Sequence, residues 1–430
     1  MKKLLIVTML DYGYYSNNRV HHIVEQFKSR FEKVIILYKK VYIPKISSFG
    51  DQLKAFLIFR TSFAEMENIT TIEMNPLFNH IDGFGINILG IRNPHTEVRS
   101  TILNSAKKAL SNLGVISDLF FLLSSLFAFI LRVRLKIDVF IGQGPWEAAV
   151  GYMLKKIGKL KVLVYDDFDY APGYQHAKYR KLIVTSLENY VMKRSDIVIS
   201  VSKLLGELRE KQTGKKIEII PNGVNYELFR RAQYKKPHPP TLIYMGYVSD
   251  WSGVELIVEA LPTIKGNVPN LRFIVIGHCS PNYLASIKSM VGKLKLGESF
   301  AYLGNKRYVE LVDYLKQADI GMALFKPIEL RKYAFPLKVI EYMASGLPVI
   351  ATRGTQAGIT VEAHQCGEAI GFSADEFSTC VCSMLTDREK YRRYSENSKK
   401  NSFNYDWEKL MRREYELIEA YYRDGIHGLR

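Results

Sequence analysis

An α/β fold made of two doubly wound, Rossmann-like parallel domains is what this sequence predicts, on three observations. Short apolar or β-branched runs alternate with helical patterns along nearly the whole chain. Each run is continuously apolar rather than alternating, the pattern of parallel strands covered on both faces. The series breaks once, at RRAQYKKPHPP (230–240), a basic, proline-rich stretch without periodicity, and then starts again.

In the first series the predicted strands are LLIVTML (4–10), KVIILY (33–38), INILGI (86–91), DVFIGQG (138–144), KVLVYDD (161–167), DIVISVS (196–202) and IEIIPNG (217–223). The opening run, Leu4 to Leu10, is short and lacks a small-residue cleavage pattern, so it predicts a buried first strand rather than a signal peptide. In the second series they are TLIYMGY (241–247), RFIVIGH (272–278), SFAYLG (299–304), DIGMALF (319–325), LPVIAT (347–352) and EAIGFS (368–373). YDWEKLMRREYELIEAYYRD (405–424) predicts one long amphipathic helix with aromatic anchors. The expected organisation is therefore a domain at 1–229, a linker at 230–240, a domain at 241–404, and a helix within 405–430 that packs across both. Two such domains face a central cleft at the carboxyl ends of their strands, where doubly wound folds bind ligands.

The 430 residues, 47% apolar and 24% charged, suffice for two cores. The formal charge of +17 is uneven: residues 1–237 carry +15 and residues 238–430 carry +2. One half is thus expected to meet something anionic. Nucleic acid is not expected, since there is neither a zinc-finger spacing nor an RNP-like strand motif. An anionic membrane surface, met through the N-terminal domain, is the expected partner. Cys279, Cys366, Cys380 and Cys382 read as thiols of a reducing compartment, and the C-V-C spacing is too short for a usual zinc knuckle. Residues 114–136 hold an uncharged core, Leu119 to Leu131, shorter than the roughly 20 residues a span needs. They read either as a buried helix or as an interfacial one with Arg132, Arg134 and Lys136 at the headgroups.

FPLKVIEYMASGLPVIAT (335–352) places Glu341 inside a helix that stops on Gly346 and runs into a β-branched strand. Lys338, three residues earlier, lies on the same helical face. Any α/β unit has a helix, a glycine stop and a strand, so the neighbouring motifs decide. DIVISVSKLLGELREK, IEIIPNGVNYELF, GYVSDWSGVELIVEAL and LVDYLKQADIGMALF stand in order around it. With these the chain resembles the GT-B glycosyltransferases of the GT4-like branch (glycosyltransferase group 1) over nearly its whole length. The resemblance implies an acceptor-binding N-terminal domain and a nucleotide-sugar-binding C-terminal domain. It also implies a metal-independent transferase without a cofactor, in which Glu341 binds the donor ribose. Gly246 would lie at the donor, and Lys338 at its phosphates or nucleotide.

Departures from the family pattern matter as much. Its first glutamate, eight positions before Glu341, is here Tyr333, and its pyrophosphate-facing Arg and Lys are Tyr247 and Ser252, beside retained Gly246 and Gly253. A diphosphate leaving group still needs neutralising. Lys326, Arg331, Lys332, Lys338 and Arg353 are the candidates for that task. On the acceptor side the turn DYGYYSNNR supplies Gly13, Ser16 and Arg19 as candidates for donor phosphate and acceptor, and RNPHTEVRS supplies His95. Asp166 and Asp167, in YDDFD at a strand's carboxyl end, are candidates for positioning or deprotonating an acceptor hydroxyl; each reads equally well as a helix cap. Being adjacent on a strand they point oppositely, so one is expected to face the cleft. DDFD as a metal motif sits in the wrong half for donor phosphates, and Glu147 reads as a residue favouring its helix dipole.

The expected function is transfer of a sugar from a nucleotide-diphosphate sugar to a glycan or lipid-linked acceptor, with retention. The expected place is the cytoplasmic face of the cell membrane, by peripheral association. The alternatives are another GT-B activity, such as a nucleotide-sugar epimerase, and a non-catalytic sugar-nucleotide or glycan-binding subunit.

Overall fold

A computed structural model describes residues 2–8, 19–39, 62–74, 136–175, 177–233 and 238–427. The predicted strand at 86–91 and nearly all of the segment 114–136 lie outside the described residues, as do Gly13, Ser16 and His95. The chain divides into two units: Met1–Ser200, Gly206–Ile220 and Met411–Arg430 form unit 1, and Val201–Leu205 and Pro221–Leu410 form unit 2.

Apart from the short excursion Val201–Leu205, the chain passes from unit 1 to unit 2 at Ile220 and Pro221, ahead of 230–240. The supposed linker is tied into unit 2 where it is described. Ala232 is buried, and Gln233 Nε2 donates to the Ala344 carbonyl at 2.9 Å. Arg230 and Arg231 lie on the solvent side of that packed turn. The terminal helix forms as predicted, but from Met411 onward it belongs to unit 1.

In unit 1 the strands are β1 (Lys3–Thr8), β2 (Lys33–Lys39), β3 (Ser62–Met66), β4 (Ile69–Met74), β5 (Ile137–Gln143), β6 (Leu160–Asp167), β7 (Ile197–Ser200) and β8 (Glu218–Ile219). They form one sheet in the order β3-β4-β2-β1-β5-β6-β7-β8, parallel throughout except for the hairpin β3–β4. Its helices are α1 (Arg19–Phe27), α2 (Pro145–Lys156), α3 (Lys178–Arg194) and α4 (Lys203–Thr213), which starts in unit 2. Leu5 and Val7 of β1 share a core with Phe140, Leu163, Val150, Leu154 and Val191. That is why β1 is apolar without a break: its alternate residues are buried too.

The hairpin was not anticipated. Its turn is Glu67-Asn68, with Glu67 at φ +53°, where the usual two-residue signal would carry a glycine. Asn68 fixes it from outside the hairpin by donating to the carbonyls of Lys28 and Phe31 at 2.6 and 2.9 Å.

From Pro221 onward unit 2 opens with the short helix α5 (Tyr226–Phe229). It is built on β9 (Thr241–Met245), β10 (Arg272–Ile276), β11 (Phe300–Tyr302), β12 (Ile320–Ala323), β13 (Val349–Thr352) and β14 (Gly367–Ile370). This sheet is all parallel, in the order β11-β10-β9-β12-β13-β14. Between the strands run α6 (Val254–Asn267), α7 (Pro281–Lys293), α8 (Leu311–Leu315), α9 (Glu329–Tyr333), α10 (Leu337–Ala344) and α11 (Gln356–His364). After β14 come α12 (Ala374–Thr386), α13 (Arg388–Ser402) and the terminal α14 (Trp407–His427). Short polar caps start several of these, as where Ser280, Thr355, Ser373 and Asp387 accept from backbone N–H groups in the first turn. All four cysteines are free thiols, three of them buried.

The carboxyl ends of β9 and β10 come unusually close. A Cβ on Gly277 would lie 1.9 Å from the Gly246 carbonyl oxygen, and Gly277 holds φ +137°. Only glycine meets both conditions. Gly277→Ala should therefore destabilise unit 2 by at least about 2 kcal/mol, read as a lower denaturation midpoint.

Candidate functional site

Each sheet brings charged residues together at the carboxyl end of its strands, and the two clusters differ in kind. In unit 1, Asp166 and Asp167 end β6 and are both buried. Successive strand residues point to opposite faces, so the two meet different partners. On one side Arg19 Nε donates to both oxygens of Asp166 at 3.0 Å, Gln143 Nε2 donates at 2.7 Å, and Arg19 Nη2 reaches Glu414 of α14 at 2.5 Å. On the other side Arg209 donates to both oxygens of Asp167, at 2.8 and 3.2 Å, and to Glu188 of α3 at 2.6 Å.

These partners correct the expectations for this side. Neither aspartate is a free carboxylate facing a cleft; both are held in buried ion pairs. Arg19, expected at phosphate, has its guanidinium buried and engaged by Asp166, Glu414 and the Ile220 carbonyl. Nor are they helix caps, because their acceptors are used by arginines. Asp169, the last acid of DDFD, bonds the Tyr170 N–H and the Tyr174 hydroxyl. Glu147 is buried in the first turn of α2.

Burial sets the acidities. It raises Asp167 against the pull of Arg209, and lifts Glu188 to about 8. Glu414 is likewise pushed up to about 7 by burial, with Arg19 opposing. Two acids share one guanidinium on each side of β6.

In unit 2 the charged groups at the sheet end are mainly cations, and they rest on aromatic rings. Lys338 of α10 places Nζ 3.7 Å from the centre of the Tyr244 ring and 4.9 Å from that of Phe325. Gly246 follows β9 at φ +127°, and a Cβ there would sit 3.0 Å from Lys338 Nζ, so the absent side chain makes room for the amine. Arg331 of α9 lies over Trp251 at 3.6 Å, and its buried Nε has no hydrogen-bond partner. Among the described residues neither cation forms an ion pair. Burial holds the Lys338 amine well below the usual lysine range, with Glu341 opposing and Arg331 adding to the depression. An anion beside them would relieve both.

Glu341, one turn along α10, is buried and bonds the Tyr308 hydroxyl. Burial raises its carboxyl to about 7, while Tyr308 and Lys338 pull the other way. Tyr247 stands exposed beside this group, stacked on Trp251 at 6.2 Å and tilted against His278 at 5.3 Å.

The other cation candidates separate clearly. Arg353 is exposed and pairs with Glu376 at 3.4 Å. Lys332 lies over the Tyr333 ring at 5.6 Å. The backbone of Lys326 is fixed by its N–H to the Trp251 carbonyl at 2.9 Å, and its side chain is half-buried. Ser252 is fully buried and closes its own turn, donating to the Ser249 carbonyl at 2.6 Å. Tyr333 ends α9, and its carbonyl accepts from Ser202.

Sequence reasoning singled out Lys338, Glu341 and Gly246, and the structure brings them together. It missed Trp251, Tyr308 and His278. One signal was available: β9 and β10 both end in a glycine followed by a ring residue, GY and GH, which puts Tyr247 and His278 side by side.

Residues 225–401 match the family model for glycosyl transferases group 1. Among curated relatives, the GDP-mannose-dependent alpha-(1-6)-phosphatidylinositol monomannoside mannosyltransferase of Mycobacterium tuberculosis is 24% identical over 189 residues, 40% of this chain and 48% of that one. The chain spans about half the length of the curated relatives it matches. Among solved structures, sucrose-phosphate synthase of Thermosynechococcus elongatus superposes with a TM-score of 0.69 at 16% identity, covering 99% of this chain and 100% of that one. HepE of Anabaena, solved in complex with UDP-glucose, superposes with a TM-score of 0.65 at 13% identity, covering 98% of this chain and 100% of that one. At these identities the structural likeness establishes the fold.

The unit 1 cluster carries its own test. Arg209→Met should cost about 3–5 kcal/mol of stability at neutral pH, because it leaves Asp167 buried without a counter-charge and Glu188 without its hydrogen-bond donor. The loss should shrink on acidification, as Asp167 takes up a proton. Urea unfolding of wild type and variant across pH measures both effects.

Proposed function

From the membership of residues 225–401 in the glycosyl transferases group 1 family and the GT-B fold of the chain, we propose that this protein transfers a sugar from a nucleotide-diphosphate sugar to a glycan or lipid-linked acceptor. The observation that carries the reading is the unit 2 cluster. A buried carboxylate, Glu341, and two cations without ion pairs, Lys338 and Arg331, converge at the end of a doubly wound sheet. A carboxylate accepts from both hydroxyls of a ribose, and cations neutralise the charge that grows on a leaving diphosphate.

In this reading Glu341 holds the ribose, while Lys338 and Arg331 take the place of the family's missing Arg and Lys. Gly246 leaves room for the phosphates. The transfer proceeds with retention: the bond between the anomeric carbon and the diphosphate oxygen breaks, the acceptor oxygen bonds to that carbon on the same face, and its proton passes to the diphosphate. The burial of Asp166 and Asp167 in ion pairs supports a scheme that needs no free protein base. Their part is then to position β6 and its neighbours.

The acceptor is assigned to the N-terminal domain, at the cytoplasmic face of a membrane, with the protein peripherally attached. Among the described residues no helix is long and apolar enough to cross a membrane. A second reading, a non-catalytic sugar-nucleotide-binding subunit, rests on Tyr333 standing where the family has its first glutamate. Tight donor binding without turnover over a range of acceptors would favour it.

Glu341→Gln should weaken nucleoside-diphosphate binding by about 1.5–3 kcal/mol, the scale of a hydrogen bond to a charged group. Calorimetry with UDP and GDP measures this, and unchanged affinity in a folded variant would overturn the assignment.

A pH dependence follows from the same residue. Its carboxyl is raised to about 7, and the charged form is the one that accepts from the ribose. Affinity should therefore strengthen as pH rises through about 7 and weaken below it, and Glu341→Gln should remove that slope.

A further inference from the structure

Helices α2 and α3 of unit 1 carry a surface that is both apolar and basic. On α3 the exposed positions include 178, 179, 182, 183, 186, 190, 193 and 194. At 3.6 residues per turn these fall on one stripe. Leu182 is 68% exposed, Tyr190 44% and Ile183 38%. The neighbouring α2 and the residue after it add Ile157 at 56% and Met153 at 41%. The two helices meet here: Tyr152 of α2 stands edge-on to Tyr190 of α3 at 5.7 Å, and the Arg194 guanidinium lies over both rings, at 5.8 and 3.6 Å.

The charge of this surface has one sign. The span from Pro145 to Arg194 holds nine Lys and Arg against five Asp and Glu. Four of those acids, Glu147, Asp166, Asp167 and Glu188, are buried. Lys155 is neutralised by Asp196 just beyond the span. Lys156, Lys159, Lys193 and Arg194 form no ion pair among the described residues. Protruding aliphatic groups ringed by unneutralised cations would be costly to keep in water for no purpose, and they match one surface in both respects.

We propose that this α2–α3 face is a docking surface for an anionic lipid bilayer. Leu182, Ile183, Met153 and Ile157 enter the boundary between headgroups and acyl chains, and Tyr190 sits at headgroup level. Lys156, Lys193 and Arg194 meet the lipid phosphates, their methylene stems lying on the same apolar ground. Nucleic acid would answer the charge, but branched aliphatic side chains offer no face on which a base stacks. The surface extends the reading of a membrane-borne acceptor and takes its biological sense from it, though its evidence is independent of the donor site.

The test is flotation of the whole protein with vesicles of phosphatidylcholine alone and of phosphatidylcholine mixed with phosphatidylglycerol. Wild type should float with the mixed vesicles and be released by high salt. Lys156→Glu/Lys193→Glu/Arg194→Glu should lower that binding at least tenfold, roughly the effect of reversing three headgroup contacts. Leu182→Ser/Ile183→Ser should lower it several-fold at low salt, where wild type is bound. Nucleoside-diphosphate affinity, measured by calorimetry, should be unchanged in both variants, which also shows that they fold. Absence of nucleotide binding in wild type would defeat the proposed function while flotation still decided the surface. Flotation of both variants like wild type would overturn the docking surface, as would failure of wild type to float. A self-association or protein complex lost in the variants, with flotation intact, would make the face a protein interface instead.

Discussion

Two adjacent buried carboxylates at the end of β6 impose the constraint around which unit 1 is arranged. An ionised carboxyl taken out of water without a partner costs several kcal/mol or more, and two in sequence cannot share a partner because they face opposite sides of the sheet. The chain answers with two arginines, Arg19 from α1 and Arg209 from α4. Each arginine brings a second acid, Glu414 from α14 and Glu188 from α3. Four helices are thereby registered against one strand by charge as well as by packing. The surplus of acid over base is absorbed as raised acidity constants, about 7 at Glu414 and about 8 at Glu188.

Unit 2 treats charge the other way. Its sheet end holds Lys338 and Arg331 against aromatic faces, and no carboxylate comes within ion-pair distance of either among the described residues. Rings lend a cation some stabilisation, but less than a paired anion in a dry site. The contrast within one chain is informative. Where buried charge is structural, as around Asp166 and Asp167, it is neutralised on the spot. Where it is left open, beside a backbone cleared by Gly246, the cations keep room for an anionic ligand.

Much of the fold was legible because its signals are local. Unbroken apolar runs such as LLIVT and TLIYM become central parallel strands, and the last helix forms as its aromatic period indicates. The hairpin β3–β4 was not legible, because Glu67-Asn68 is not a strong turn pair and its anchor, Asn68, bonds carbonyls at Lys28 and Phe31. The packing of residues 230–233, read as the start of a linker, was hidden for a related reason. Composition reports that a segment is polar, not that Gln233 is bonded to a distant carbonyl. Within the candidate site, Glu341, Lys338 and Gly246 were legible from one short motif. Arg331 and Arg353 look like equal candidates in the sequence, yet the first rests on Trp251 and the second is spent on Glu376.

By itself, then, the sequence determined the doubly wound class, the strands of the second sheet, and the helix that presents Glu341 beside Lys338. Those depend on unbroken apolar runs and on a period of 3.6 residues, which a short window contains. Only the tertiary structure decided which charges are spent and which remain open. Arg19 chooses Asp166 across 147 positions and Glu414 across 395, and no spacing rule in the sequence distinguishes those partners from other carboxylates. Choice among distant partners is settled by burial, since a charge sealed from water must take whichever counter-charge the fold brings within reach.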